Sequence, residues 1–164
     1  MVILGIDPGL RFSGFGILKK ERCASLLDHG LLKLSPTKTL PERIHIFHDF
    51  FSEKIKQHAV TSVALETPFL GKNAQNFLKL GYLRGILYLL AAQNNLTISE
   101  FSPRQVKLSL TGYGGASKEQ VARVVLRLFP QMPVPKKDDV TDALAVTLCG
   151  LWKQKTKSLY AKAL

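Results

Sequence analysis

A charge at the end of an apolar run constrains this chain more than any other feature. Val2-Ile-Leu-Gly-Ile6 is a stretch of strand formers that ends in Asp7 and then Pro8-Gly9. Continuous apolar residues predict a strand buried on both faces, and Pro-Gly predicts a turn after it. A carboxylate beside a core is costly unless it is paired or binds a metal. The rest of the chain therefore has to supply Asp7 with a partner.

The totals narrow the setting. Lys and Arg outnumber Asp and Glu by 23 to 12, a net charge of +11. That excess implies an anionic partner, nucleic acid foremost, although a merely soluble basic protein, or one that binds ribosomes or membranes, shares the composition. The length of 164 residues suits one domain over 1–164, with a weakly ordered basic tail from about residue 153. No signal peptide is expected. The apolar part of Leu78–Ala92 holds Lys79 and Arg84 and is too short and too charged to span a bilayer. Cys23 and Cys149 have no motif spacing and read as buried thiols in a reducing, cytoplasmic setting.

Periodicity orders the elements. Phe12–Leu18 and Cys23–Leu34 follow the first strand through short links, so a three-strand antiparallel meander opens the chain, with Asp28-His-Gly30 as the candidate bulge. Thr39-Leu-Pro-Glu42 has capping-box spacing and starts a helix over 40–57. His45, His48 and His58 on or near it read as surface side chains rather than ligands. Thr61–Leu65 is a fourth strand ending in Glu66. A helix between strands implies a parallel crossover, which sets Asp7 and Glu66 at the same carboxyl edge of the sheet.

A long helix spans about 73–94, with Asn73 as its expected cap. It is apolar over more than one face, and Gly81 and Gly85 permit a close backbone approach. That surplus predicts a dimer contact, against a helix buried wholly in its own domain. Leu96–Glu100 is a short fifth strand, and Ser102-Pro-Arg-Gln105 and Ser117-Lys-Glu-Gln120 start two short helices. The intervening Thr111-Gly-Tyr-Gly-Gly-Ala116 lacks a P-loop ending and reads as a connector or a close approach to a sugar-phosphate strand. The last helix runs from Asp138 or Asp139 to about Trp152, with Asp139 and Asp142 on one face of its first turn. The expected fold is α/β: a five-stranded mixed sheet, three strands antiparallel and two more parallel, flanked by helices.

Asp7, Glu66, Asp139 and Asp142 form the candidate set. Taken singly, each has a plain reading as a cap or a solvated acid. Together, an all-oxygen, all-anionic set suits Mg²⁺ or Mn²⁺ and not zinc. Two such ions about 3.5–4 Å apart can clamp the attacking and leaving oxygens of a phosphoryl displacement, with no protein nucleophile. No Ser/His/Asp or Cys/His arrangement is recognisable in the chain.

Ile3-Leu-Gly-Ile-Asp7-Pro-Gly9, Leu65-Glu66 with Phe69 and Lys72-Asn73-Ala74, Lys79-Leu-Gly81 and Arg84-Gly85 together resemble the RuvC family of Holliday-junction resolvases. Arg104-Gln-Val-Lys107, Lys118 with Gln120-Val121, and Asp139-x-x-Asp142-Ala-Leu144 continue the resemblance in order. It implies a ribonuclease-H-like fold, a homodimer, and symmetric metal-dependent nicking of two opposed strands of a four-way DNA junction in recombination and repair. The nicks would carry 5′-phosphate and 3′-hydroxyl ends.

It further implies that Asp7, Glu66, Asp139 and Asp142 are catalytic ligands of two Mg²⁺ per subunit, with Mn²⁺ as a substitute. Phe69 would stack on an opened base, Lys72 and Asn73 would contact nucleic acid, and Lys107 and Lys118 would lie beside the scissile backbone. A branch-migration motor of RuvA- and RuvB-like proteins would be the partner complex. The pair Asp138-Asp139 leaves a one-residue ambiguity, resolved toward Asp139 by its spacing to Asp142.

Three rivals are weaker. A non-catalytic binding module of this fold would have lost a carboxylate. An actin-like ATPase or sugar kinase needs a second lobe. A monomeric ribonuclease H leaves the surplus helix face unexplained.

Overall fold

Val2–Asp7 forms β1, the middle strand of the sheet, as its unbroken apolar run requires. The computed structural model describes residues 1–68 and 74–160, with side chains through Lys153. After β1 come β2 (Phe12–Lys20), β3 (Ala24–Lys33), α1 (Leu40–Gln57), β4 (Ser62–Glu66), α2 (Ala74–Gln93), β5 (Thr97–Phe101), α3 (Pro103–Thr111), α4 (Lys118–Leu128) and α5 (Asp138–Tyr160). The strand order is β3-β2-β1-β4-β5. β1, β2 and β3 pair antiparallel, whereas β4 joins β1 and β5 joins β4 in parallel. The mixed five-stranded sheet is thus the expected one.

Side-chain alternation sorts the two faces. Leu4, Ile6, Val63 and Leu65 pack toward α1 and α2, with Phe47, Phe51, Leu83 and Leu87. Ile3 and Ala64 pack on the other face with Leu144 and Leu148 of α5, backed by Val106 of α3 and Val125 of α4. Glycines admit α5 close to this second face. A Cβ on Gly5 would sit 1.9 Å from Thr147 Oγ1, one on Gly14 1.9 Å from the Asp139 carbonyl oxygen, and one on Gly16 2.4 Å from Leu144 Cδ2.

The capping boxes of α1, α3 and α4 form at Thr39, Ser102 and Ser117. Gly112, with φ 76°, ends α3, so the glycine-rich segment begins as a helix stop.

Several expectations are corrected. The bulge falls at Leu27, because Ile17 pairs with Asp28 and Leu18 with Leu26. Cys149 is buried but Cys23 is exposed, since it lies in the turn between β2 and β3. His58 is half-buried rather than freely exposed: its Nε2 lies 3.2 Å from Asp28 Oδ2, which also accepts a 2.7 Å bond from Lys54 Nζ. α5 continues past Trp152 to Tyr160. The expected cap Asn73 lies outside the described residues.

Candidate active site

Ile6 pairs with Leu65 across the parallel β1–β4 ladder, so Asp7 and Glu66 leave the sheet side by side. Asp7 shares the α5-facing parity of Ile3 and Gly5, and Glu66 that of Ala64. Asp7 is also the register partner of Gly14, the residue on which the Asp139 carbonyl rests. One bare position on β2 therefore lets the first turn of α5 settle beside Asp7, bringing Asp139 and Asp142 with it.

The acids feel one another. Burial, then the charges of Asp142, Asp139 and Glu66, push the Asp7 carboxyl up to about 7, against the pull of Lys118. Glu66 is raised by burial and then by Asp142, while Lys118 and Lys107 draw it down. Asp139 is one of the charges that raise Asp7, and Asp138 is one of those that raise Lys118. Lys118 Nζ donates a 2.9 Å bond to Asp142 Oδ2. That bond and the Asp142 charge raise the Lys118 ammonium above its ordinary range.

Among the described residues, no group of three or more His, Cys, Asp or Glu side chains is arranged to hold a metal ion as it stands. The four acids are coupled by charge, with one oxygen of Asp142 engaged by Lys118. Their chemistry nevertheless fits a hard divalent cation: the donors are all carboxylate oxygens, and Asp7 is held toward protonation by burial and then by the charges of the others. A cleft of about 230 Å³ opens beside them, lined by Glu66, Lys107, Lys118 and Asp142. The structure thus gathers six of the predicted residues at one sheet edge. Phe69, Lys72 and Asn73 lie outside the described residues.

Sequence reasoning gave Arg84 no role of its own. It is 7% exposed on α2. Its Nη1 donates to the Glu66 carbonyl oxygen at 2.7 Å, and its Nη2 pairs with Glu100 Oε1. Tyr88 OH donates to the same Glu100 oxygen at 2.8 Å. Thr67 N–H, one residue on, donates to the Phe101 carbonyl at 2.8 Å. The backbone around Glu66 is therefore held from α2 and from β5. The signal for this was an arginine set inside an apolar helical stripe.

The arrangement of sheet and helices has counterparts. The model of the family described as crossover junction endodeoxyribonuclease RuvC matches residues 3–150. The chain belongs to the RuvC family. A crossover junction endodeoxyribonuclease RuvC of Pelodictyon phaeoclathratiforme is 42% identical over 164 residues, covering 99% of this chain and 86% of that protein. The solved Thermus thermophilus RuvC structure matches with a TM-score of 0.84 and 29% identity, covering 95% of this chain and 97% of the other. T. thermophilus RuvC in complex with Holliday junction substrate matches with a TM-score of 0.83 and 31% identity, over 90% and 91%. The sheet of this RuvC-family chain is accordingly the ribonuclease-H-like one. The matched span takes in all four acids, both cleft lysines and Arg84.

Proposed function

We propose that this chain resolves four-way DNA junctions by divalent-metal-dependent hydrolysis of two opposed strands, leaving 5′-phosphate and 3′-hydroxyl nicks, in homologous recombination and DNA repair. The observation that carries this reading is the meeting of Asp7, Glu66, Asp139 and Asp142 at one sheet edge beside Lys107 and Lys118.

The four carboxylates hold Mg²⁺, two ions per subunit, with Mn²⁺ as a substitute. Bound metal supplies Lewis-acid charge to the attacking water and to the departing 3′ oxygen. The chain's own residues do the rest. Asp7 and Glu66 present oxygens from a rigid strand edge, and Arg84 fixes the Glu66 main chain. Asp139 and Asp142 close over them from α5. Lys118, its side chain largely exposed, turns from Asp142 to a phosphate oxygen, and Lys107 neutralises the neighbouring phosphate.

The working unit is a homodimer. On α2, Leu78, Tyr82 and Leu89 are exposed, and a Cβ on Gly81 or Gly85 would meet nothing within 4 Å. A second copy covers that face, and the two sites then cut symmetry-related strands of a two-fold junction. Phe69 stacks on an opened base, with Lys72 and Asn73 on the backbone near it. RuvA- and RuvB-like proteins supply branch migration, in the cytoplasm. Among the described residues, no helix is long and apolar enough to cross a membrane.

The test is incubation with synthetic four-way junctions and with linear duplex, each with Mg²⁺ or EDTA. Paired symmetric nicks on the junction alone, abolished by EDTA, are expected. Asp7→Asn should bind the junction and fail to cut it. Cutting in EDTA, or by Asp7→Asn, would sink the metal reading.

A further inference from the structure

A second groove, about 490 Å³ in volume, is lined at one end by Asp139 and shares no lining residue with the Lys107–Lys118 cleft. That cleft is walled by β4, α3, α4 and α5. The groove instead starts at Asp139 and passes over the β1–β2 turn toward α1 and α2. Its lining includes Gly9 and Arg11 from the turn, Phe12 from the start of β2, Arg43 from α1 and Lys79 from α2. Three cations from three separate elements thus face one channel whose acidic member is Asp139, itself one of the candidate ligands. Among the described residues, Arg11, Arg43 and Lys79 have no ion-pair partner.

The groove is built rather than incidental. Gly9 N–H donates to Ser13 Oγ at 3.1 Å, and the Ser13 hydroxyl donates back to the Gly9 carbonyl at 2.9 Å. A Cβ on Gly9 would strike the Phe12 carbonyl oxygen at 2.1 Å, so the turn has little freedom. Leu34 N–H donates to the Arg11 carbonyl at 2.9 Å and pins the base of that exposed side chain. Arg43 Nη1 donates to the Leu10 carbonyl at 3.0 Å, while its Nε is enclosed with no partner. A guanidinium offers five N–H donors, and a buried orphan costs ~1–3 kcal/mol. Lys137, with Nζ 4.7 Å from the Phe12 ring centroid, adds a cation at the rim.

We infer that this groove holds the sugar-phosphate backbone of the DNA strand where it continues past the scissile phosphate, with Arg11, Arg43 and Lys79 on phosphodiester oxygens. The inference rests on the nuclease reading above. A strand with one phosphate at the four acids has to leave on two sides. The lysine cleft serves one, and this groove, which Asp139 lines, serves the other. Three converging cations repel one another until a polyanion enters. Contacts of this kind position a strand and carry no sequence information.

The test is junction binding in EDTA, where no cutting occurs, measured across a salt series for wild type, Arg11→Ala, Arg11→Glu and Lys79→Ala. Lys56→Ala, in the last turn of α1, is the control for loss of one charge elsewhere. Melting temperatures confirm that the variants fold. Each Ala variant should lower the slope of log affinity against log salt by roughly 0.7–0.9, the value of one phosphate contact, equally for junctions of different sequence. Arg11→Glu should lower affinity further than Arg11→Ala, and Lys56→Ala should match wild type. Variants that all track Lys56→Ala, with wild type binding tightly, would overturn the groove and leave the nuclease reading intact. A wild-type protein that fails to bind or cut any junction would overturn the nuclease reading itself.

Discussion

α5 and α2 lie on opposite faces of one sheet, and both owe their surroundings to missing Cβ atoms. For α5 the bare positions are on the strands: Gly5, Gly14 and Gly16 let its backbone sink against β1 and β2. For α2 they are on the helix itself, and the space beside Gly81 and Gly85 is open. One approach is completed within the chain and delivers two acids to Asp7. The other leaves Leu78 58% and Leu89 48% exposed, the face on which the proposed second copy would sit. A glycine thus marks a close approach, and only its neighbours tell whether the approach is internal.

Substitutions on the two sides should separate these cases. The largest effect is expected from Gly14→Ala. Its Cβ meets backbone, which cannot swing away, so the fold should lose about 3 kcal/mol and junction cutting should fall to background as Asp139 is displaced. Thermal melting with a nicking assay checks both, and an unaltered melting point would break the account of α5.

Arg84→Gln comes next. It removes the charge-assisted bonds to the Glu66 carbonyl and to Glu100, at a cost of ~1.5–3 kcal/mol. Cutting should fall more than junction binding, and Mn²⁺ affinity should weaken in a titration without DNA. Unchanged Mn²⁺ affinity would reduce Arg84 to a fold residue.

Gly81→Ala should be the mildest and of opposite sign. With open space around it, the isolated chain should gain up to ~1 kcal/mol of helix stability. Sedimentation should show weaker self-association, and undiminished association would place the second copy elsewhere.

The parts legible in the sequence are those set by local chemistry or strict alternation. The three capping boxes, the end of β1 at Asp7 and the parallel crossover to Glu66 all follow from short-range rules. The meeting of four acids followed because two elements end at the same sheet edge and a third begins over it. What escaped depends on distant atoms. Nothing local to Arg84 says that its guanidinium reaches a carbonyl on β4. Arg11, Arg43 and Lys79 are far apart in the chain and look like ordinary surface charges until the β1–β2 turn and two helices align them. The exposure of Cys23 and the half-burial of His58 escape for the same reason: burial at the edge of an element is decided by what folds over it, Asp28 of β3 in the case of His58.

The seating of α5 on the glycines of β1 and β2 has a consequence for how such an enzyme is made. The carboxylates of residues 7 and 66 leave the ribosome well before those of residues 139 and 142, which arrive on the helix that also covers one face of the sheet. A nascent chain emerged as far as α4 has half of its acids and nothing over them. On the proposed reading of the four acids, a product truncated before α5 carries only half of the set and does not cut.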